Sequence, residues 1–205
     1  MRMPSVVSLP HCLGLLFVLL ANPAAAQSTE LGALVGFTPS AALDRQAAEL
    51  DDAGLEAGVT FAISATQFLN DHWGFAGEWG QHFSGFGIET GGTPSTLYDM
   101  NIAHVHGYAI YRFGPADAKA RPFAFGGAGI KYFSARDLET ETKLSFGLGG
   151  GLWYFVSRNL AIEGRFTYKP TMMDDSDAGD FCDPFGFCQS TLQQIEVMGG
   201  VRFRF

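Results

Sequence analysis

The chain closes with Ile195-Glu196-Val197-Met198-Gly199-Gly200-Val201-Arg202-Phe203-Arg204-Phe205. Apolar residues or glycine occupy every second position of this stretch, and the positions between them carry glutamate, methionine, glycine and two arginines. A period of two is typical of a β-strand with one apolar and one polar face. Strands of outer-membrane barrels alternate in this way, with their polar residues turned inward. The stretch therefore predicts a membrane-spanning strand.

The other end of the chain has the three parts of a secretory signal peptide. Arg2 supplies a positive charge, residues 13–21 form a short apolar core, and residues 24–26 are three alanines that suit a cleavage site. The apolar run is shorter than the roughly 20 residues of a membrane-spanning helix. We therefore expect residues 1–26 to be removed and residues 27–205 to be exported as a single domain.

The composition favours strands over helices and excludes some partners. The formal net charge is −8, which argues against a nucleic-acid partner. The chain has 26 glycines and 19 phenylalanines, and 17% of its residues are charged. Glycine weakens helices, whereas phenylalanine suits the pleated surface of a sheet. The composition predicts an all-β protein.

Alternation recurs along the chain and predicts eight strands, most of them near or above the ~9–11 residues that cross a membrane. In the fifth strand both phases are apolar, and we place Lys131 inward. A soluble barrel would turn its apolar phase inward, but the polar phase here is the smaller, glycine-rich one and suits the interior. Backbone amides in lipid need partners, so the strands predict a closed, eight-stranded, antiparallel, up-and-down transmembrane β-barrel. The predicted strands cover about residues 30–38, 54–65, 73–83, 98–113, 122–134, 143–156, 160–169 and 195–205.

The connections between these strands alternate in length and predict an orientation. Barrels of this kind have short periplasmic turns and longer outer loops, which would place both termini in the periplasm. The loop near residues 135–142 is intermediate. The short connections are residues 66–72, 114–121 and 157–159, and the long, mostly polar ones are residues 39–53, 84–97 and 170–190.

With its signal peptide, alternating strands and final Phe205, the chain resembles the small outer-membrane β-barrel proteins of Gram-negative bacteria, of the OmpA-like and OmpX-like type. The resemblance implies an integral outer-membrane location, contact with outer-membrane lipid and lipopolysaccharide, and Phe205 as the signal that the barrel-assembly machinery reads. It also implies a structural, adhesion or surface-interaction role through the outer loops. The alternative is a narrow channel or transporter for small or hydrophobic solutes, as in OmpW-like barrels.

Charged residues on the inferred inner face predict a network inside the barrel. An eight-stranded barrel is just wide enough for its side chains to fill it, and a buried unpaired charge is very costly. We therefore expect these charges, whose signs nearly balance, to pair across the lumen, with a narrow ion path as the alternative. The set is Glu30, Glu56, Glu78, Glu163, Glu196, Arg112, Lys131, Arg165, Lys169, Arg202 and Arg204.

Histidines on the same inner face raise the questions of metal binding and catalysis. His104 and His106, with His82 on the neighbouring strand, could hold a transition metal, although polar packing is the favoured interpretation. Lipid A deacylases of similar size carry a His-x-Ser pair, whereas this chain has His104-Val105-His106 and no G-x-S-x-G motif. We therefore predict no enzyme activity and assign no catalytic, cofactor or metal residue.

The longest loop contains the two cysteines of the mature chain, Cys182 and Cys188. An even count in an exported protein predicts a loop disulfide. The hairpin that it would clip displays Phe185 and Phe187, which would either contact a partner or pack over the barrel mouth. An acidic cluster at residues 174–180 could bind Ca²⁺, but a solvated loop is favoured because the EF-hand spacing is not met.

Overall fold

The computed structural model describes residues 28–39, 41–42, 53–90, 93–135, 140–173 and 190–205. Within these ranges eight long strands form an antiparallel barrel. Two short strands, Ala41–Ala42 and Ala53–Leu55, pair with each other, and the second also pairs with the third long strand at Phe86–Ile88. The long strands are β1 (Ser28–Thr38), β2 (Gly58–Phe68), β3 (Trp73–Thr90), β4 (Thr93–Arg112), β5 (Ala120–Ala135), β6 (Glu141–Phe155), β7 (Leu160–Met173) and β8 (Ser190–Arg204).

Pairing between the first and last strands closes the barrel. Each long strand pairs with its neighbours along the chain, and β1 pairs with β8 in a register that runs from Glu30↔Arg204 to Phe37↔Val197. Every long strand therefore has a partner on both sides, and closure removes the unpaired edges that an open sheet would expose. The predicted eight-stranded antiparallel barrel is confirmed.

The two faces of the barrel wall have the polarity of a membrane protein. Outward-facing side chains are apolar and accessible, as in Val35 at 60% exposed, Leu148 at 65% and Val197 at 55%. Inward-facing positions include charged residues that are almost fully buried. A soluble barrel would have the reverse arrangement, because soluble proteins rarely expose a continuous band of apolar side chains of this size to water. None of the described residues forms a helix long and apolar enough to cross a membrane.

The barrel has two different ends. One end carries the short connections at residues 69–72, 113–119 and 156–159, together with Ser28 and Phe205, and is called the turn end. The opposite end, called the loop end, carries the connections between β1 and β2, β3 and β4, β5 and β6, and β7 and β8. Aromatic side chains cluster outside the turn end: Tyr111 lies 4.9 Å from both Trp73 and Phe113 between ring centroids. Such clusters suit the boundary between lipid and water.

The structure corrects two boundaries that the sequence predicted. The polar stretch 84–97 is not a loop, since β3 and β4 stay paired out to Thr90↔Thr93, with a register shift between Phe86 and Gly87. Polar side chains do not prevent pairing beyond the membrane, because the two backbones satisfy each other's hydrogen bonds. The predicted turn 66–72 shortens to residues 69–72. There Asn70 Oδ1 accepts hydrogen bonds from the backbone amides of His72 and Trp73.

Candidate functional site: the filled lumen

The interior of the barrel has a charged side and an aromatic side. Half of the ten buried arginine, lysine and glutamate side chains in the described residues lie on β7 and β8, and the other five are spread over β1, β3, β4 and β5. Aromatic side chains come from the end of β2 and from β4, β5 and β6. The two sides meet across a lumen that is narrow enough for direct side-chain contact.

Glu78 on β3 is the centre of the charged network in the middle of the lumen. It is 2% exposed and forms an ion pair with Arg165, and its Oε1 lies 3.3 Å from both Lys169 Nζ and His104 Nε2. Lys169 Nζ also lies 2.7 Å from a carboxylate oxygen of Glu196 on β8. This network joins β3, β4, β7 and β8 through buried charges.

A second network lies at the turn end and joins the first and last strands. Glu30 on β1 accepts hydrogen bonds from Arg112 Nη1 at 3.0 Å and from Arg204 Nε at 2.9 Å. Arg202 Nε donates to Glu163 at 2.9 Å, and its Nη1 donates to Thr66 at 3.0 Å. These contacts bridge β1, β2, β4, β7 and β8 inside the closed wall.

Three of the buried arginines also lie over an aromatic ring. The Cζ atom of Arg112 is 3.3 Å from the centre of the Phe68 ring. Arg202 lies 4.6 Å from Trp153, and Arg165 lies 5.7 Å from Phe125. Each guanidinium is therefore held between a carboxylate and an aromatic face, both of which favour its positive charge. These aromatic partners were not predicted from the sequence.

Glycines on β6 make room for the aromatic side of the lumen. An added Cβ atom at Gly147 would lie 2.7 Å from the Tyr108 ring, and one at Gly149 would lie 2.6 Å from the Phe125 ring. The Phe123 and Trp153 rings stack with centroids 4.1 Å apart, and Phe68 meets Trp153 edge to face. The glycine-rich inner face of β6 thus allows large rings from β4 and β5 to fill the barrel.

The inward histidines take part in this packing. His82 Nδ1 lies 2.9 Å from Thr60 Oγ1, and His104 Nε2 lies 3.0 Å from Lys169 Nζ. His106 stacks on Tyr108 with the ring centroids 5.6 Å apart. In the part of the chain that the structure describes, no three histidine, cysteine or carboxylate side chains are arranged to hold a metal ion.

Among the described residues, the buried cations of the lumen outnumber the buried carboxylates. Arg121 lies in the predicted connection 114–121, but in the structure it is part of β5, points inward and is 1% exposed. Lys131 is buried and donates a hydrogen bond to Gln194. Glu56 is half-buried at the loop end, where its backbone carbonyl accepts a hydrogen bond from Ser84. Four buried carboxylates, Glu30, Glu78, Glu163 and Glu196, face six buried cations, Arg112, Arg121, Lys131, Arg165, Lys169 and Arg202.

Several predicted features lie outside the described residues. These are the signal peptide at residues 1–26, the acidic cluster at residues 174–180, and the cysteines Cys182 and Cys188. The loop disulfide therefore stays a prediction. Phe205 is described: its backbone amide donates to Thr29 O at 2.9 Å, while its ring is exposed.

A closed antiparallel barrel with an apolar exterior and buried charges inside is the architecture of an outer-membrane β-barrel protein. The chain belongs to the outer membrane protein beta-barrel domain family, whose model matches residues 12–203. The predicted membership of this class is thereby confirmed, and the protein is an integral outer-membrane barrel.

Solved structures show the same fold at low sequence identity. Neisserial surface protein A is 16% identical, with a TM-score of 0.62, and the match covers 86% of this chain and 97% of that one. OprG from Pseudomonas aeruginosa is 14% identical, with a TM-score of 0.59 and coverage of 88% and 97%. A major outer membrane protein from Thermus thermophilus is 15% identical, with a TM-score of 0.53 and coverage of 87% and 98%. No curated protein sequence matches significantly.

Proposed function

We propose that this protein is a non-conducting outer-membrane barrel that acts in envelope structure or surface interaction through the segments at its loop end, and not in catalysis. One observation carries the proposal: charged side chains in the middle of the lumen are buried and paired. Glu78 is 2% exposed, His104 1% and Lys169 0%. In a water-filled pore these side chains would be wetted, whereas here they are paired with one another.

The energetics of the network support a closed lumen. A path for ions would require Glu78 to release Arg165 and Lys169, and Glu30 to release its arginines. Such an opening would have to separate several buried pairs at once and let water replace their hydrogen bonds, so the paired and packed arrangement favours a closed lumen. The aromatic rings stacked around Trp153 obstruct the same space.

Conductance of the mature protein in a planar bilayer tests this proposal. We expect no discrete current steps from protein that is shown to be folded by its altered mobility on unheated gels. A porin reconstituted in the same way shows that the bilayer reports open pores. Reproducible steps from the folded fraction would contradict a closed lumen and favour the channel alternative.

Transport of hydrophobic solutes is the rival function, and conductance alone does not test it. An apolar solute would need a route through the side wall that carries no current. Uptake of an apolar fluorescent dye into liposomes, with and without the protein, separates the two functions. Uptake that increases with protein would favour transport, whereas uptake equal to that of empty liposomes agrees with a structural role.

The orientation is part of the proposal. Short turns suit the periplasmic side, so the turn end and both termini would face the periplasm and the loop end would face outward, towards lipopolysaccharide. Cysteines introduced at Thr93 or Ser176 should react with an impermeant thiol reagent on intact cells, and one at Ala118 should not. Cys182 and Cys188 are replaced by serine in all three variants. Labelling of only the cysteine at Ala118 would show that the barrel has the opposite orientation.

A further inference from the structure

Arginines outnumber carboxylates among the described residues at the turn end of the lumen. Three of them lie side by side and are called the turn-end arginine cluster: Arg112, Arg121 and Arg204. Arginine keeps its proton under all ordinary conditions, so this positive charge cannot be removed by deprotonation. The buried and half-buried side chains that share the space are four arginines, Arg112, Arg121, Arg202 and Arg204, and two glutamates, Glu30 and Glu163. Two exposed carboxylates, those of Asp71 and Asp117, act electrostatically on Arg121 from the surface, where solvent screens them.

Shared acceptors bring the guanidinium groups of the cluster together. Glu30 Oε1 accepts from both Arg112 Nη1, at 3.0 Å, and Arg204 Nε, at 2.9 Å. The backbone carbonyl of Asp71 accepts from both Arg112 Nε, at 3.2 Å, and Arg121 Nη2, at 2.8 Å. Donors on one oxygen atom lie within about 6 Å of each other, so the three cations repel one another.

Two donors of the cluster are buried and have no acceptor. Arg121 donates hydrogen bonds from its terminal nitrogens to the backbone carbonyls of Asp71 and Ala116. Its Nε has no hydrogen-bond partner, and Arg121 is only 1% exposed. Arg204 donates through Nε to Glu30, and its Nη2 has no partner. A buried donor without an acceptor is costly, most of all on a charged group. Both donors thus lack an acceptor in a region where buried arginines outnumber buried glutamates. Two carboxylate oxygens of the same region, Glu30 Oε2 and Glu163 Oε1, lack a hydrogen-bond donor, so the glutamates present do not satisfy these two donors.

We propose that the turn-end arginine cluster binds one oxyanion of the phosphate class, supplied either as inorganic phosphate or by the phosphate of a lipid headgroup. Inorganic phosphate brings several acceptor oxygens and close to two negative charges near neutral pH, whereas the phosphodiester of a lipid headgroup brings two free oxygens and one negative charge. Either could accept from the two unpaired donors and offset positive charge in the cluster. Guanidinium groups suit such oxyanions because their N–H groups are set in a planar fork. The site lies inside the barrel mouth and goes beyond the structural or surface role proposed above.

Phosphate-dependent unfolding of the mature protein tests the proposal. The protein is purified from membranes into a phosphate-free, non-ionic sugar detergent, and unfolded in urea while tryptophan fluorescence is recorded. Inorganic phosphate is varied, with chloride keeping the ionic strength constant. One bound phosphate should lower the unfolding equilibrium constant about 10-fold for each 10-fold rise in phosphate above its Kd. No dependence on phosphate in the wild-type protein would overturn the proposal.

Substitutions distinguish a site from general screening. Arg204→Gln should abolish the phosphate dependence, whereas Arg158→Gln, which removes an exposed charge at the same end, should leave it intact. Glu30→Gln increases the surplus positive charge and should strengthen the dependence. Equal loss in the Arg204→Gln and Arg158→Gln variants, or a weaker dependence in Glu30→Gln, would overturn the site.

A lipid arm identifies the source of the phosphate. Phosphatidylglycerol is added to the same detergent without inorganic phosphate, and the wild-type and Arg204→Gln proteins are compared. Stabilisation of the wild-type protein alone supports a lipid phosphate as the ligand. Stabilisation by inorganic phosphate but not by the lipid supports free phosphate as the ligand. Equal stabilisation of both proteins in both arms would overturn the site.

Discussion

Replacing Glu78 by glutamine removes one negative charge from the middle of the lumen while keeping the size of the side chain. Arg165 would then lose its carboxylate partner and keep the sulfur of Met198, at 3.4 Å, the face of Phe125 and the neutral amide oxygen that replaces the carboxylate. Lys169 would keep Glu196 at 2.7 Å. Leaving a buried cation without its carboxylate costs about 3–5 kcal/mol. We expect about 3 kcal/mol for Glu78→Gln, because Lys169 stays paired and the new amide oxygen still accepts a hydrogen bond.

Glu163→Gln is the matched control, since it makes the same chemical change at another buried site. Arg202 would keep Glu30 at 3.6 Å and Thr66 at 3.0 Å, so the loss should be about 1–2 kcal/mol. In equilibrium terms, 3 kcal/mol corresponds to about a 160-fold increase in the unfolding equilibrium constant. Urea unfolding of the mature protein in detergent, followed by tryptophan fluorescence, measures both variants.

A double variant tests whether the loss comes from the Glu78–Arg165 pair. Glu78→Gln with Arg165→Met removes both charges, so no unpaired guanidinium remains. The double variant should be more stable than the sum of the two single losses predicts, by at least about 1 kcal/mol. Additive losses, or a cost for Glu78→Gln no larger than that for Glu163→Gln, would refute the central role of Glu78.

Three further predictions concern assembly, the outer loop and lumen packing. Deletion of Phe205 should leave the protein periplasmic and degraded, as measured by immunoblots of membrane fractions, and normal membrane levels would argue against its role as the assembly signal. Cys182 and Cys188 should form a disulfide worth about 2–3 kcal/mol in chain entropy, and reduction should loosen the loop to external protease without unfolding the barrel; two free thiols by mass spectrometry would remove the premise. Gly147→Val should cost about 1–3 kcal/mol by overpacking the tyrosine ring 2.7 Å from its Cβ position, whereas Gly164→Val, which has open space outside the barrel, should cost far less in the same urea assay. Equal losses would refute the packing argument.

Local alternation in the sequence was sufficient to indicate the fold class. Successive side chains of a strand point to opposite faces, so the period of two in residues 195–205 shows which side chains share a face before any pairing is known. Lys131 could be placed inward on the fifth strand for the same reason, since a charge does not suit lipid. Strand ends that extend beyond the membrane, as in the long β3–β4 hairpin, were missed. The side chains there are polar on both faces, so their pattern does not indicate whether the backbone is paired.

The contacts inside the lumen were decided by the tertiary structure. Glu30 bonds Arg204 across 174 positions of the chain, and Thr66 accepts from Arg202 across 136. Barrel closure and strand register determine such pairs, and neither leaves a local pattern in the sequence. Arg121 shares the inward phase of Lys131, and it was missed because the fifth strand begins at Ala120 and not near Pro122. Its place in the turn-end arginine cluster depends on which strands surround it. Alternation specifies the direction of a side chain, but its partners are set by which strands lie opposite one another across the closed barrel.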